Sequence, residues 1–327
     1  MAISLPVIDV DRVDLESPRA PEIARAVDDA FRRTGFCYVA NTGIEADLVG
    51  AVFDATRRFH ALSDGAKQAI AINAFHRGYI APNTATNRSS SVARVTRPNL
   101  SESLMVMHEV APEDPFFGKP LQGPNQWPDG LPGFREAVTA YQSAMTDFAR
   151  RFTRLLALAL GLPETYLDPH FERPTSWLRL LRYPPEPRGT PDDQYGAAPH
   201  TDYGFITFLV QDEHDGLEVR TRGGEWISAP PLAGTFVVNV ADLLARWTNE
   251  RWSSTPHRVR NRSGKDRYSV PFFWDMGLES EIGCLPTCCG PANPPRHEPV
   301  RFADYLLPRL DRNYAYRRQP AAETGSE

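Results

Sequence analysis

The chain has 327 residues, 41% of them hydrophobic and 24% charged, and a net charge of -5 from 36 Lys+Arg against 41 Asp+Glu. That composition buries a sizeable core without disulfide or metal staples and excludes disorder for the bulk of the chain. Mean hydropathy is -0.41, the longest apolar run (155–162) falls short of the roughly 18 residues a membrane span needs, and the mildly negative balance gives no pull toward nucleic acid or anionic lipid.

Leu5-Pro-Val-Ile-Asp9 reads as a short strand. Residues 21–33 carry Ile23, Ala26, Val27, Ala30 and Phe31 at helical spacing, and Gly35 supplies a stop. Phe36-Cys-Tyr-Val39 is a second strand, closed by the turn signal Asn41-Thr-Gly43, and a second helix is expected from Glu45 to Phe59. The stretch 83–103, with Asn83, Thr84, Thr86, Asn87, Arg88 and the run Ser89-Ser90-Ser91, has little periodicity and reads as a long loop, either a binding loop or plain surface. Pro128 and Pro132 bracket the entry to the strongest helix, 134–160, where Val138, Tyr141, Met145, Phe148, Phe152, Leu155 and Leu156 recur at three and four. After Pro174 the pattern turns to short strands: 176–183, 204–210, 217–219, 226–228, 235–240, 257–260 and 268–274, separated by Gly, Pro, Asn and Asp. Such spacing predicts a sandwich or barrel, so the fold class is mainly β with flanking helices. A last helix is expected near Phe302–Leu310, and the tail from Pro320 is expected to be disordered. Four cysteines are too few for a disulfide scaffold, and the N-terminus shows no basic stretch followed by an apolar one, so a reduced, cytoplasmic protein is the expectation.

Two of the eight histidines stand in informative settings. His200-Thr-Asp202 opens a strand-like run, and strand alternation would send His200 and Asp202 to one face. His257 heads a later strand. Two imidazoles and one carboxylate on one face of a metal form the facial triad of non-haem iron(II) oxygenases; a chance His-x-Asp is the bland alternative. Arg267-Tyr-Ser269 adds a guanidinium and a hydroxyl on one strand face, suited to gripping a carboxylate through parallel hydrogen bonds.

Together these motifs resemble the isopenicillin N synthase-like group of Fe(II)/2-oxoglutarate-dependent oxygenases. The resemblance rests on His200-Thr-Asp-Tyr-Gly204, His257-Arg-Val259 and Arg267-Tyr-Ser269 in that order. Leu5-Pro-Val-Ile-Asp9, Gly35-Phe-Cys-Tyr-Val39, Arg77-Gly-Tyr79, Arg182-Tyr-Pro-Pro185, Asn239-Val-Ala-Asp242 and Thr248-Asn-Glu-Arg-Trp252 extend it over about residues 4 to 318. It implies a double-stranded β-helix (jelly-roll) core over 121–318, an N-terminal α/β region over 1–120 and a short tail over 319–327. It further implies that His200, Asp202 and His257 bind Fe(II), while Arg267, Ser269 and Tyr183 hold the distal carboxylate of 2-oxoglutarate. O2 and 2-oxoglutarate would then be consumed to give succinate, CO2 and an oxidised small-molecule substrate, with the substrate hydroxylated, desaturated or cyclised. The same scaffold also serves oxidases that need no 2-oxoglutarate, and a non-catalytic binding protein is the reading from another class. One departure is Leu181-Arg-Tyr-Pro-Pro185, where plant relatives often carry Asn-Tyr-Tyr-Pro-Pro: an amide is lost and a charge gained at Arg182.

Other residues carry less. Cys284, Cys288 and Cys289 lack the matching pair a zinc site needs. His214, flanked by acids, reads as a solvated turn residue. Arg94 and Arg97 read as a solvated basic face or as contacts to an acidic substrate. Phe205, Phe272 and Trp274 adjoin the motifs, as pocket wall or as core.

Overall fold

The computed structural model describes residues 4–86 and 95–317. The expected disordered tail and the middle of the polar stretch, including Arg94, lie outside these residues. In chain order the elements are β1 (Val7–Asp9), α1 (Ala20–Arg33), β2 (Phe36–Ala40), α2 (Ala46–His60), α3 (Asp64–Gln68), β3 (Gly78–Ile80), β4 (Glu102–Met107) and α4 (Phe134–Ala159). They continue as β5 (Thr175–Tyr183), β6 (Ala197–His200), β7 (Ile206–Gln211), β8 (Leu217–Arg220), β9 (Trp226–Ser228), β10 (Thr235–Val240) and α5 (Asp242–Trp247). β11 (His257–Val259), β12 (Arg267–Asp275), the short pair β13 (Glu281–Ile282) and β14 (Val300–Arg301), and α6 (Phe302–Asn313) complete the described chain.

The helices form where the apolar spacing demands them. α1 buries Ile23, Val27, Ala30 and Phe31 and stops at Gly35, whose positive φ of 67° suits a residue without a side chain. α4 buries Val138, Tyr141, Met145, Phe148, Phe152, Leu155 and Leu156 along one stripe. Its Phe148 and Phe152 meet Phe208 of β7 edge-on at 5.2 and 5.3 Å, so this helix seals the outer face of the main sheet.

Two sheets carry the site. The larger runs β1-β2-β10-β7-β12-β5-β4-β3, and the smaller runs β6-β11-β8-β9. From β5 to β12 the chain passes between the sheets at almost every strand: β5, β7, β10 and β12 lie in the larger sheet, and β6, β8, β9 and β11 in the smaller. This is jelly-roll order, with the sheets facing each other rather than closing into a barrel. Leu5, Phe36, Tyr38, Leu181, Leu217, Val219, Val237 and Val259 form an apolar cluster between them. The strands of the first 120 residues do not build a sheet of their own; β1 and β2 extend one edge of the larger sheet, and β3 and β4 the other.

Several elements differ from the sequence expectations, three of them close to the site. The end of the expected loop is β4, whose six residues are all buried. β6 ends at His200 instead of starting there. α5, which follows β10 directly, had no clear periodic signal because only six residues form it.

Candidate active site

His200 closes β6 and His257 opens β11, and the two are register partners across an antiparallel pair. Their rings consequently sit next to each other, 4.4 Å between centroids and tilted by 51°. Asp202 reaches them from the turn after β6, so a turn and not strand alternation brings it to the histidines. Its Oδ1 lies 3.8 Å from His200 Nε2 and 3.7 Å from His257 Nε2. Among the described residues these three offer ligand atoms all within 4.8 Å of one another.

The surroundings fix which atoms face inward. His200 Nδ1 lies 2.7 Å from the Ala198 carbonyl and His257 Nδ1 3.3 Å from the Thr255 carbonyl. A carbonyl only accepts, so each Nδ1 carries the proton and each Nε2 keeps its lone pair for the centre. Asp202 Oδ2 accepts hydrogen bonds from Thr207 Oγ1 and Asn239 Nδ2, both at 2.7 Å, which leaves Oδ1 free. Burial, and next the nearby His257, push the His200 pKa down and keep the imidazole neutral. For Asp202 burial acts upward, but the histidines and the two hydrogen bonds outweigh it and hold the carboxyl below its ordinary value. The turn itself needs Gly204: a Cβ there would run into the Asp275 carboxylate, which accepts from Phe205 N at 2.6 Å and Trp177 Nε1 at 2.8 Å.

A cavity between the sheets runs from this centre to Arg267, and Tyr183, Arg267 and Ser269 all line it. Arg267 faces Tyr183 across the β12–β5 pair, and Ser269 follows two residues later on the same face, as alternation predicts. The Arg267 guanidinium is fully buried and lies 5.0 Å from the centroid of the Tyr183 ring. Its Nε donates to the His214 carbonyl at 3.2 Å and one terminal nitrogen to Gln211 Oε1 at 2.6 Å. The other terminal nitrogen, Nη1, is buried without a hydrogen-bond partner among the described residues. A buried guanidinium left in this state is suited to a carboxylate from outside the chain. Two neutral imidazoles and one ionised carboxylate are equally suited to iron(II).

The other residues singled out in the sequence take definite places. Arg182 points away from the cavity, tied to Glu102 at 2.6 Å and Asp266 at 3.0 Å. His214 is not a solvated bystander, since its carbonyl holds Arg267 and its ring approaches Asp212 at 3.3 Å. Phe205, Phe272 and Trp274 are fully buried core; Phe273, of the opposite parity on β12, lines the cavity instead. Arg97 pairs with Asp193 at the surface. The cysteines 284, 288 and 289 do not form a metal-binding group with His, Asp or Glu among the described residues. Sequence reasoning assigned no role to Thr207, Asn239 or Arg179, all of which line the cavity. Parity on β5 could have found Arg179, which shares a strand face with Tyr183.

Residues 174–275 match the family model described as the 2OG-Fe(II) oxygenase superfamily, and residues 5–130 match the one described as non-haem dioxygenase in morphine synthesis N-terminal. The chain is 34% identical over 313 residues to the 2-oxoglutarate-Fe(II) type oxidoreductase hxnY of Emericella nidulans, covering 92% of this chain and 88% of that protein. It is also 34% identical over 300 residues to the homoarginine-6-hydroxylase 2-ODD-C23.1 of Arabidopsis thaliana, covering 87% and 88%. The crystal structure of a full-length Neurospora crassa protein in complex with alpha-KG aligns with a TM-score of 0.83 at 30% identity, over 94% of this chain and 95% of that one. The same Neurospora protein with alpha-KG and thymine aligns equally well, with a TM-score of 0.83 at 29% identity over 94% and 96%. No helix among the described residues is long and apolar enough to cross a membrane. Because relatives of this kind match along nearly its whole length, the chain belongs to the 2OG-Fe(II) oxygenase superfamily, as a dioxygenase that uses iron(II), 2-oxoglutarate and O2 to oxidise a small molecule.

Proposed function

We propose that His200, Asp202 and His257 hold the iron, that Arg267, Ser269 and Tyr183 hold the distal carboxylate of 2-oxoglutarate, and that the product is a hydroxylated small molecule. The observation that carries this reading is the shared cavity: three convergent ligand atoms at one place in it, and the unpartnered Nη1 of Arg267 at another. Bound iron(II) supplies the oxidative decarboxylation of 2-oxoglutarate to succinate and CO2, with one oxygen atom of O2 going to succinate and the other to the substrate. The chain's own residues orient and exclude. The carbonyls of Ala198 and Thr255 keep both imidazole lone pairs turned inward. Thr207 and Asn239 occupy Asp202 Oδ2, so that Oδ1 would be the oxygen left to hold the metal. The Arg267 guanidinium, backed by Gln211 and the His214 carbonyl, neutralises an anion at the dry end of the cavity. Leu181, Leu217 and Val259 wall the space between and keep water out.

A small-molecule substrate is supported by the relatives, since the Neurospora crassa protein is seen with thymine and with 5-formyluracil. The division into an N-terminal region over 1–120, a core over 121–318 and a tail over 319–327 belongs to the same proposal. So does a cytoplasmic location, supported by the sparse cysteines.

The test is an anaerobic iron(II) titration followed by visible absorption, with and without 2-oxoglutarate. A weak metal-to-ligand band needing both is the expected result. Asp202→Ala should bind iron too weakly to show the band and should lose turnover. Arg267→Leu should keep iron binding while the 2-oxoglutarate requirement rises by about tenfold to a hundredfold, the value of a charged hydrogen-bonded pair. Iron binding with no band in the unmodified protein would sink the co-substrate assignment.

A further inference from the structure

We infer that Arg179 is the substrate anchor, and that the substrate is a flat, ring-bearing molecule presenting an oxygen acceptor, either a carboxylate or a ring carbonyl. The inference rests on the reading above, in which the triad holds iron and Arg267 holds 2-oxoglutarate.

Position comes first. Arg179 and Tyr183 share the inward face of β5, but Arg179 stands four residues away, about 13 Å along the strand at the usual rise. That separation sets Arg179 and the Tyr183–Arg267 pair toward different ends of the cavity that both line. Arg179 also lines a second cavity that touches His200 and Asp202 yet contains neither Arg267 nor Ser269. Trp177, Tyr203, Phe273, Asn313 and Tyr314 enclose it. This second space meets the proposed metal ligands away from Arg267 and Ser269, the end that the reading above gives to the co-substrate.

Charge is the second argument. Arg182, three residues on, is neutralised by two carboxylates. Arg179 has a hydroxyl in place of such carboxylates. Its terminal nitrogen donates to Ser103 Oγ at 2.9 Å, and its Nε is buried with no partner at all. A partly buried cation with an unused donor, next to a cavity, is stabilised by an acceptor that brings negative charge or a strong carbonyl dipole. The walls say what carries that acceptor. Four of the five residues named above are aromatic, and aromatic side chains pack best on a flat ring.

The experiment uses the full chain loaded anaerobically with iron(II) and 2-oxoglutarate, with benzoate, thymine and toluene as probes. Binding is read by calorimetry and by the probe-induced shift of the metal-to-ligand band. The unmodified protein should bind benzoate or thymine at least about tenfold more tightly than toluene. Tighter benzoate binding marks a carboxylate, and tighter thymine binding marks a ring carbonyl. Arg179→Leu should erase that preference while the band and the 2-oxoglutarate affinity stay as they were, and Arg179→Lys should restore part of it. An unaltered preference in Arg179→Leu overturns the proposal, as does the lack of any preference in the unmodified protein. Loss of 2-oxoglutarate affinity in Arg179→Leu also overturns it, because Arg179 would then belong to the co-substrate. Absence of the band in the unmodified protein fails the iron and 2-oxoglutarate reading instead, so the two failures are distinct.

Discussion

The two oxygens of Asp202 have separate work. Oδ2 is saturated by Thr207 and Asn239, and Oδ1 faces the two imidazoles. Thr207 and Asn239 are themselves register partners across β7 and β10, so one cross-strand pair fixes the carboxylate from a single side. Partners that orient a metal ligand typically matter about tenfold to a hundredfold in metal affinity. Asn239→Ala and Thr207→Val should each weaken iron binding within that range while the fold survives, as read by iron titration beside circular dichroism. Affinity unchanged in both variants would mean that Asp202 is held by its turn alone. The proposed site residues His200, Asp202, His257, Arg267 and Ser269 stand out in the sequence because each lies in a short motif. The roles of Thr207 and Asn239 do not, because what unites them is a strand pairing between residues 32 positions apart, and even the Asn239-Val-Ala-Asp242 motif does not point to Asp202.

β12 shows why alternation is the most informative signal at the level of elements. Arg267, Ser269, Pro271 and Phe273 line the cavity, while Phe272 and Trp274 pack outward with full burial. Trp274 stacks on Phe171 at 5.3 Å and donates to Thr153 of α4. Phe272→Ala should therefore cost about 3–5 kcal/mol of stability through the cavity it leaves, with a clear fall in melting temperature. Phe273→Ala should leave the melting temperature close to the parent and raise the substrate KM. The reverse pattern would place the pocket on the other face of the strand. The elements that escaped the sequence reading have physical reasons for doing so. β6 is Ala-Ala-Pro-His, low in strand-favouring residues, and is a strand only because β11 pairs with it. β4 begins with Glu102, which looks like a loop residue until its partners are known.

Those partners join parts of the molecule that are distant in sequence. Glu102 is buried on β4, where Lys67 Nζ of α3 approaches at 2.9 Å, Arg182 Nη1 of β5 at 2.6 Å and His60 Nδ1 at the end of α2 at 3.6 Å; the Tyr79 hydroxyl of β3 donates to it as well. One carboxylate thus ties two helices to the sheet edge that the N-terminal region adds to the jelly roll. Burial alone would raise the Glu102 pKa, but its contacts with His60, Tyr79 and Lys67 outweigh burial and hold it far below the ordinary carboxylate value. A carboxyl depressed in the folded state adds stability above its unfolded pKa, about 4.3, and that stability drains away as the pH falls toward the folded value. Glu102→Gln keeps the shape and removes the charge, leaving Lys67 and Arg182 facing a neutral amide. Breaking a buried ionic contact in this way costs on the order of 3 kcal/mol. The expected outcome is a variant less stable than the parent at pH 7, whose stability changes less steeply between pH 5 and strongly acid solution, so that the two unfolding free energies converge as the acid limb is descended. Denaturant melts across that range measure it; two curves that stay parallel from neutral to acid pH would show that the Glu102 charge does not hold this edge of the sheet in place.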